Sequence, residues 1–163
     1  MLAPPDPATA ARGPTAAPVA TSVYATGVPG TPVRRTIDST ENADVLGPYS
    51  HAATDGELLF TAGQIPVTPA GDVLRDEPIG VQAEQSLSNI QRILAEEDLT
   101  MDHILKTTVY MTDIDGFEGM NEVYRSFFDA DPPARTALEV QRIADDAAIE
   151  IEAVATTAPV ADD

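Results

Sequence analysis

The sequence predicts an α+β fold, a sheet carrying two helices on one face, and three observations lead there. Short runs of alternating, often β-branched residues recur at both ends of the chain and once in its middle. Two longer segments place apolar residues at helical spacing instead. Read in order, the elements run β-ββ-α-β-α-ββ, and helices separated by strands in this way pack onto a common sheet. With 163 residues, 43 % of them apolar, the chain is long enough for one domain with its own core.

Residues 1–33 are rich in Ala, Pro, Thr and Gly and lack an apolar period. Such a segment buries too little surface to offset its ordering entropy, so it reads as a disordered tail. The abrupt change of composition also admits translation beginning at Val33, which the intact mass of the native protein would test. Residues 34–158 read as the globular domain and 159–163 as a short acidic tail. A first strand is expected over 34–38. Asp55-Gly56 between two β-prone runs predicts a hairpin, since both turn positions tolerate positive φ; its second arm runs on through Gly63 and Gln64 to stop at Pro66. Residues 67–79 form a loop. A helix over 81–97 stacks Ala83, Leu87, Ile90 and Leu94 on one stripe with Ile93 beside it. A β-branched run predicts a strand over 104–111. Asp115-Gly116-Phe117-Glu118 resembles a capping box opening a second helix, with Phe117, Met120, Tyr124 and Phe127 on its apolar stripe and Val123 and Phe128 widening it. Asp131-Pro132-Pro133 ends that helix, and two final strands, around Arg135 and Glu150, close the domain.

Charge excludes several function classes. The net charge is −18; residues 1–36 hold three arginines against one aspartate, so the remainder carries 6 basic against 26 acidic residues. No basic patch exists to release counterions from a phosphate backbone, which argues against nucleic acid as a partner. Dispersed acidity with a single lysine, Lys106, reads as adaptation to a saline cytoplasm, because such a surface repels itself at low salt and stays soluble at high salt. Cysteine is absent, which removes disulfides, thiolate metal sites and a cysteine nucleophile. His51 and His103 stand far apart in no ligand-like spacing, read as ordinary polar residues, and no metal is assigned. No run reaches the length of a membrane span and no signal-peptide core is seen, so a cytoplasmic protein is expected.

Five positions stand out as candidates for chemistry. Arg135 enters one strand and Glu150 lies within the next, an arrangement that would pair a carboxylate clamp with a proton-transfer group or simply form a surface ion pair. Gly47-Pro48-Tyr49-Ser50 is a tight turn ending in a tyrosine. Gly63 sits inside a strand, where glycine marks a bulge or close backbone approach. Asn121 sits on the second helix. Each has an ordinary reading: Tyr49 as packing, Gly63 as a fold requirement, Asn121 as a helix-surface polar residue.

The ordered set of Ser39-Thr40-Glu41-Asn42-Ala43, Gly47-Pro48-Tyr49-Ser50, Leu59 to Pro66, Lys106-Thr107-Thr108-Val109-Tyr110, Asn121-Glu122-Val123-Tyr124, Pro133-Ala134-Arg135 and Ile149 to Ala153 closely resembles the RidA/YjgF family of enamine/imine deaminases. The resemblance covers residues 36–156. It implies a chorismate-mutase-like α+β fold, assembled as a homotrimer with clefts between neighbouring subunits. It also implies hydrolysis of reactive 2-imino or enamino acids, such as 2-iminopropanoate and 2-iminobutanoate, to 2-oxo acids and ammonia, with no metal or organic cofactor. By position, Arg135 matches the arginine that binds the substrate carboxylate, Glu150 the glutamate that handles water and protons, and Tyr49, Gly63 and Asn121 the pocket lining. Two departures stand out: Ala62 replaces a frequent serine, and Ala137 replaces a serine, threonine or cysteine, each of which removes a polar group from the expected cleft. The rival reading is a non-catalytic member that binds small carboxylates and regulates a partner. Chaperone-like or translation-related activity ranks last, since the acidic chain argues against RNA cleavage.

Overall fold

The computed structural model describes residues 34–128 and 131–160. The expected N-terminal tail lies outside the described residues, as do 161–163 of the C-terminal one. Six strands and two helices follow in the expected order: β1 (Arg35–Ile37), β2 (Ala52–Thr54), β3 (Leu58–Thr61), α1 (Ile79–Ala95), β4 (Ile104–Met111), α2 (Phe117–Phe127), β5 (Ala134–Glu139) and β6 (Ile149–Thr156). The sheet order is β1-β2-β3-β6-β4-β5, with β4 and β5 parallel and every other pair antiparallel. The fold is thus a mixed sheet with two helices packed against it. The two last strands adjoin in sequence but not in the sheet, because β4 lies between them.

Both helices pack on one face because the strand periodicity leaves them only one apolar face to cover. In β6, Ile149, Ile151, Ala153 and Ala155 are buried, while Glu150, Glu152, Val154 and Thr156 alternate onto the open face. The expected α1 stripe of Ala83, Leu87, Ile90, Ile93 and Leu94 is fully buried, together with Val109, Met111 and Met120. Each large member contributes about 1.5–3 kcal/mol relative to exposure. Gln82 is buried with them but satisfied: its Nε2 donates to the carbonyls of Arg75 and Glu77, and its Oε1 accepts from the Ala148 amide. This one side chain ties the loop before α1 to the entry of β6.

Three local expectations are corrected. In the hairpin, Gly56 alone has positive φ, at 98°. Asp55 instead shapes the turn, its Oδ1 accepting from the amides of Glu57 and Leu58 at 2.9 Å. The second arm ends at Thr61, earlier than expected; beyond it Gln64 rejoins the sheet only as an isolated bridge to Ile151, leaving Gly63 just outside the strand. At the second helix no capping box forms. Asp113 caps a short 3-10 turn over Ile114–Gly116 by accepting from the Asp115 amide at 2.9 Å, and that turn runs straight into α2. No helix among the described residues is long and apolar enough to cross a membrane.

Candidate active site

Two clusters of the expected residues form, and they lie on different faces of the sheet. The first is built on the segment after β3. Had Gly63 a Cβ, it would overlap the Glu150 side chain, meeting its Cδ at 2.7 Å and its Cγ at 3.0 Å. Glycine serves here by giving the Glu150 side chain its present position, since its φ is not in the left-handed region and any Cβ would displace that carboxylate. Glu150 therefore rests its carboxylate against bare backbone. Burial, and secondarily the like charge of Glu152, pushes the Glu150 carboxyl above its ordinary 4.5. Tyr110, the cross-strand partner of Glu150, donates its hydroxyl to Glu152 Oε1 at 3.1 Å, and its own phenol is pushed up by burial and by both glutamates.

Gly63 also borders a cavity of about 360 Å³ that Tyr49, His51, Gln64, Ile65 and Asn89 help to line. Tyr49, half exposed, stands on the tight turn expected from Gly47-Pro48, where its amide donates to the Gly47 carbonyl at 2.9 Å. Asn89, buried on α1, holds the far wall: its Nδ2 donates to the carbonyls of Ile65 and Val67, and its own carbonyl accepts from Asn42. No sequence pattern singles out Asn89 among the polar residues of a helix. Its Nδ2 reaches backbone carbonyls of a loop 22 to 24 residues away, while its Oδ1 accepts from Gln85 and Arg92 on the same helix.

The second cluster surrounds Arg135. Its guanidinium carbon lies 4.4 Å from the Tyr124 ring centroid and 5.3 Å from that of Phe117, and Nη1 points to Met120 Sδ at 3.8 Å. Tyr124 is itself pinned, its hydroxyl hydrogen-bonded to Thr107 Oγ1 at 2.8 Å. The α2 stripe that reads as core thus doubles as an aromatic cushion for the cation. Arg135 makes no salt bridge among the described residues. Its fork of donors stays available for a planar carboxylate. Asn121 is buried on α2, next in sequence to Met120.

Strand register separates the clusters. Arg135 pairs with Thr107, which pairs with Ala153, and cross-strand partners share a face, here the helix face. Glu150 alternates to the other face. Two inter-strand steps and three residues along β6 put the two Cα atoms about 14 Å apart. A direct Arg135–Glu150 ion pair within one chain is therefore excluded. Neither alanine departure borders the cavity: Ala62 lines a separate depression with Tyr49, Ser50 and Phe60, and Ala137 packs against the core.

The model of the family described as Endoribonuclease L-PSP matches residues 40–157. The chain belongs to this family, which includes the RidA/YjgF proteins. A RutC family protein of Pyrococcus horikoshii is 45 % identical over 118 residues, 71 % of this chain and 93 % of that one. The 2-iminobutanoate/2-iminopropanoate deaminase of Escherichia coli is 42 % identical over 122 residues, 72 % of this chain and 94 % of that one. Among solved structures, the YjgF gene product of E. coli matches with a TM-score of 0.71 at 38 % identity, and E. coli TdcF with bound serine with 0.71 at 36 %; each comparison covers 75 % of this chain and 98 % of the other. The family resemblance read from the ordered motifs and the fold expected from it both hold for this RidA/YjgF protein.

Proposed function

We propose that this RidA/YjgF protein hydrolyses 2-imino and enamino acids to 2-oxo acids and ammonia. The observation that carries the reading is Arg135, a half-buried guanidinium seated on aromatic faces with no carboxylate pairing it among the described residues. Such a cation takes an external carboxylate, and its planar fork grips both oxygens of a 2-imino acid. Glu150 supplies the second group. Burial holds its proton affinity above that of an ordinary carboxylate, which moves it toward the range where one group both accepts and returns a proton. Water adds to the imine carbon as Glu150 takes its proton. Returning a proton to nitrogen breaks the C–N bond, leaving the 2-oxo acid and ammonia. The imine carbon is already electrophilic, so orientation and one acid–base group suffice.

The curated E. coli relative bears the name of this activity, and TdcF is described with a bound serine, a small amino acid of the carboxylate-bearing kind. The family description names an endoribonuclease, but a chain with net charge −18 is poorly suited to a polyanion. The test couples the full chain to a serine or threonine dehydratase and follows 2-oxo acid release. Wild type is expected to accelerate release over buffer and Arg135→Ala to lose most of that acceleration. Equal rates with and without the wild-type chain would refute the reading. Saturable 2-oxo acid binding without turnover would favour the rival, a carboxylate-binding regulator.

A further inference from the structure

We infer that His51 is a positioning residue for the proposed site: in one neutral tautomer its ring braces the 39–46 segment that lines the cavity, just before the turn that carries Tyr49. Only the kinetic part of this inference rests on the deaminase reading. His51 is 6 % exposed and lines the cavity. Its Nδ1 accepts from the Ser39 amide at 3.1 Å, and its Nε2 lies 3.0 Å from the Ala43 carbonyl oxygen. A backbone N–H only donates and a carbonyl only accepts, so these neighbours select the ring with its proton on Nε2 and its lone pair on Nδ1.

The main chain of the same residue extends the network. The His51 amide donates to Asp38 Oδ1 at 3.3 Å, and its carbonyl accepts from the Ala62 amide at 2.8 Å. The ring thus ties the start of the 39–46 segment to its middle, while the backbone ties both to the residue before Gly63. Tyr49 is two residues upstream of this knot. Asp38, whose carboxylate stands 3.8 Å from Nδ1 and is largely exposed, is the charged group recorded near the ring. An apolar side chain of equal volume would fill the space but strand the Ser39 amide and the Ala43 carbonyl without partners. A glutamine carries an acceptor and a donor on one planar head and reproduces both bonds.

The test uses the full-length chain with His51→Leu and His51→Gln. Nitrogen-15 NMR of wild type is expected to find the neutral ring protonated on Nε2 and bare on Nδ1; the opposite tautomer overturns the inference. Amide hydrogen exchange in His51→Leu is expected to speed up over 39–46 while Ala62, held by the backbone carbonyl of residue 51, and α1 stay protected, and His51→Gln is expected to restore wild-type protection. In the coupled assay, KM should rise several-fold in His51→Leu with kcat little changed, and return in His51→Gln, the pattern of a misplaced wall and not of a lost reacting group. Unchanged loop exchange in His51→Leu, or no rescue by glutamine, would sink the idea. Should the leucine variant not fold, the tautomer and the exchange behaviour of His51→Gln still decide it. Absence of turnover in wild type would refute the proposed reaction while leaving the tautomer and exchange results to judge His51.

Discussion

Glu150 is held between two demands: the bare backbone of Gly63 gives it room, and its surroundings make its charge costly. The sign of that cost is testable. Its folded-state pKa is raised, so the folded protein favours the protonated form; this contribution is fully present below the ordinary carboxylate pKa and lost as pH rises through the folded value. Above that folded value the wild type carries an ionised, partly desolvated carboxylate beside Glu152. Glu150→Gln is expected to abolish deamination yet raise Tm at pH 7, with the gap closing as pH falls below about 4.5, where wild-type Glu150 is neutral in both states. Thermal melts across pH check this; a variant less stable than wild type at pH 7 would refute the burial account. Arg135 solves the converse problem. Packed over Tyr124 and Phe117 with no ion-pair partner among the described residues, it engages only the weak acceptor Met120 Sδ and leaves its remaining donors free of carboxylates there. Tyr124 was legible as core from its spacing, but its second role was not, because it depends on a strand that pairs with β4 across a non-local crossover.

At the scale of elements, what is local in sequence was legible and what is non-local was not. Strand alternation and helical stripes depend on neighbours a few residues apart, and every strand and helix is where those patterns place it, within a few residues. The insertion of β6 between β3 and β4 has no local signal. The face of Glu150 could be read, because Ile149 and Ile151 must be buried. The face of Arg135 could not: β5 is an edge strand in which the larger apolar residue, Leu138, is 37 % exposed while the small Ala137 packs on the core. His51 reads as an ordinary polar residue and Asn89 carries no signal of its own, because the loop backbone atoms that each side chain holds have no signature in sequence. The start of α2 offers a direct test of one such correction. Asp113, and not Asp115, satisfies a free amide there, and the Ile114 amide is taken by Glu139 of β5 at 3.1 Å. Asp113→Ala should cost about 1 kcal/mol, a Tm fall of roughly 4 °C, while Asp115→Ala should stay within about 0.5 kcal/mol. Thermal denaturation of the two single variants decides it, and an equal loss from both would return the cap to Asp115.

For the whole molecule the decisive fact is that Arg135 and Glu150, the groups proposed to bind the carboxylate and to handle protons, occupy opposite faces of one sheet. No rotamer of either side chain brings them around the strand edge to a common substrate of six or seven heavy atoms. A site that uses both must draw Arg135 from one copy of the chain and Glu150 from another. The open face has the surface for such a contact: Phe60 and Leu138 lie exposed on it, and Tyr110, Glu150 and Glu152 share it. A face that meets a different face of the next copy makes a head-to-tail contact, which closes into a ring when the rotation allows. This gives a prediction that separates shared from private sites. Arg135→Ala and Glu150→Gln chains, each inactive alone, are co-expressed in equal amounts and purified as mixed assemblies. If each cleft takes its arginine and its glutamate from different chains, about a quarter of the clefts regain both intact groups, and deamination returns to about a quarter of the wild-type rate. If both groups serve a site within one chain, every cleft lacks one of them and the mixture stays dead. Recovery in the mixture with none in either parent therefore assigns the cleft to the boundary between copies, and failure to recover removes the shared site along with the geometric argument for it.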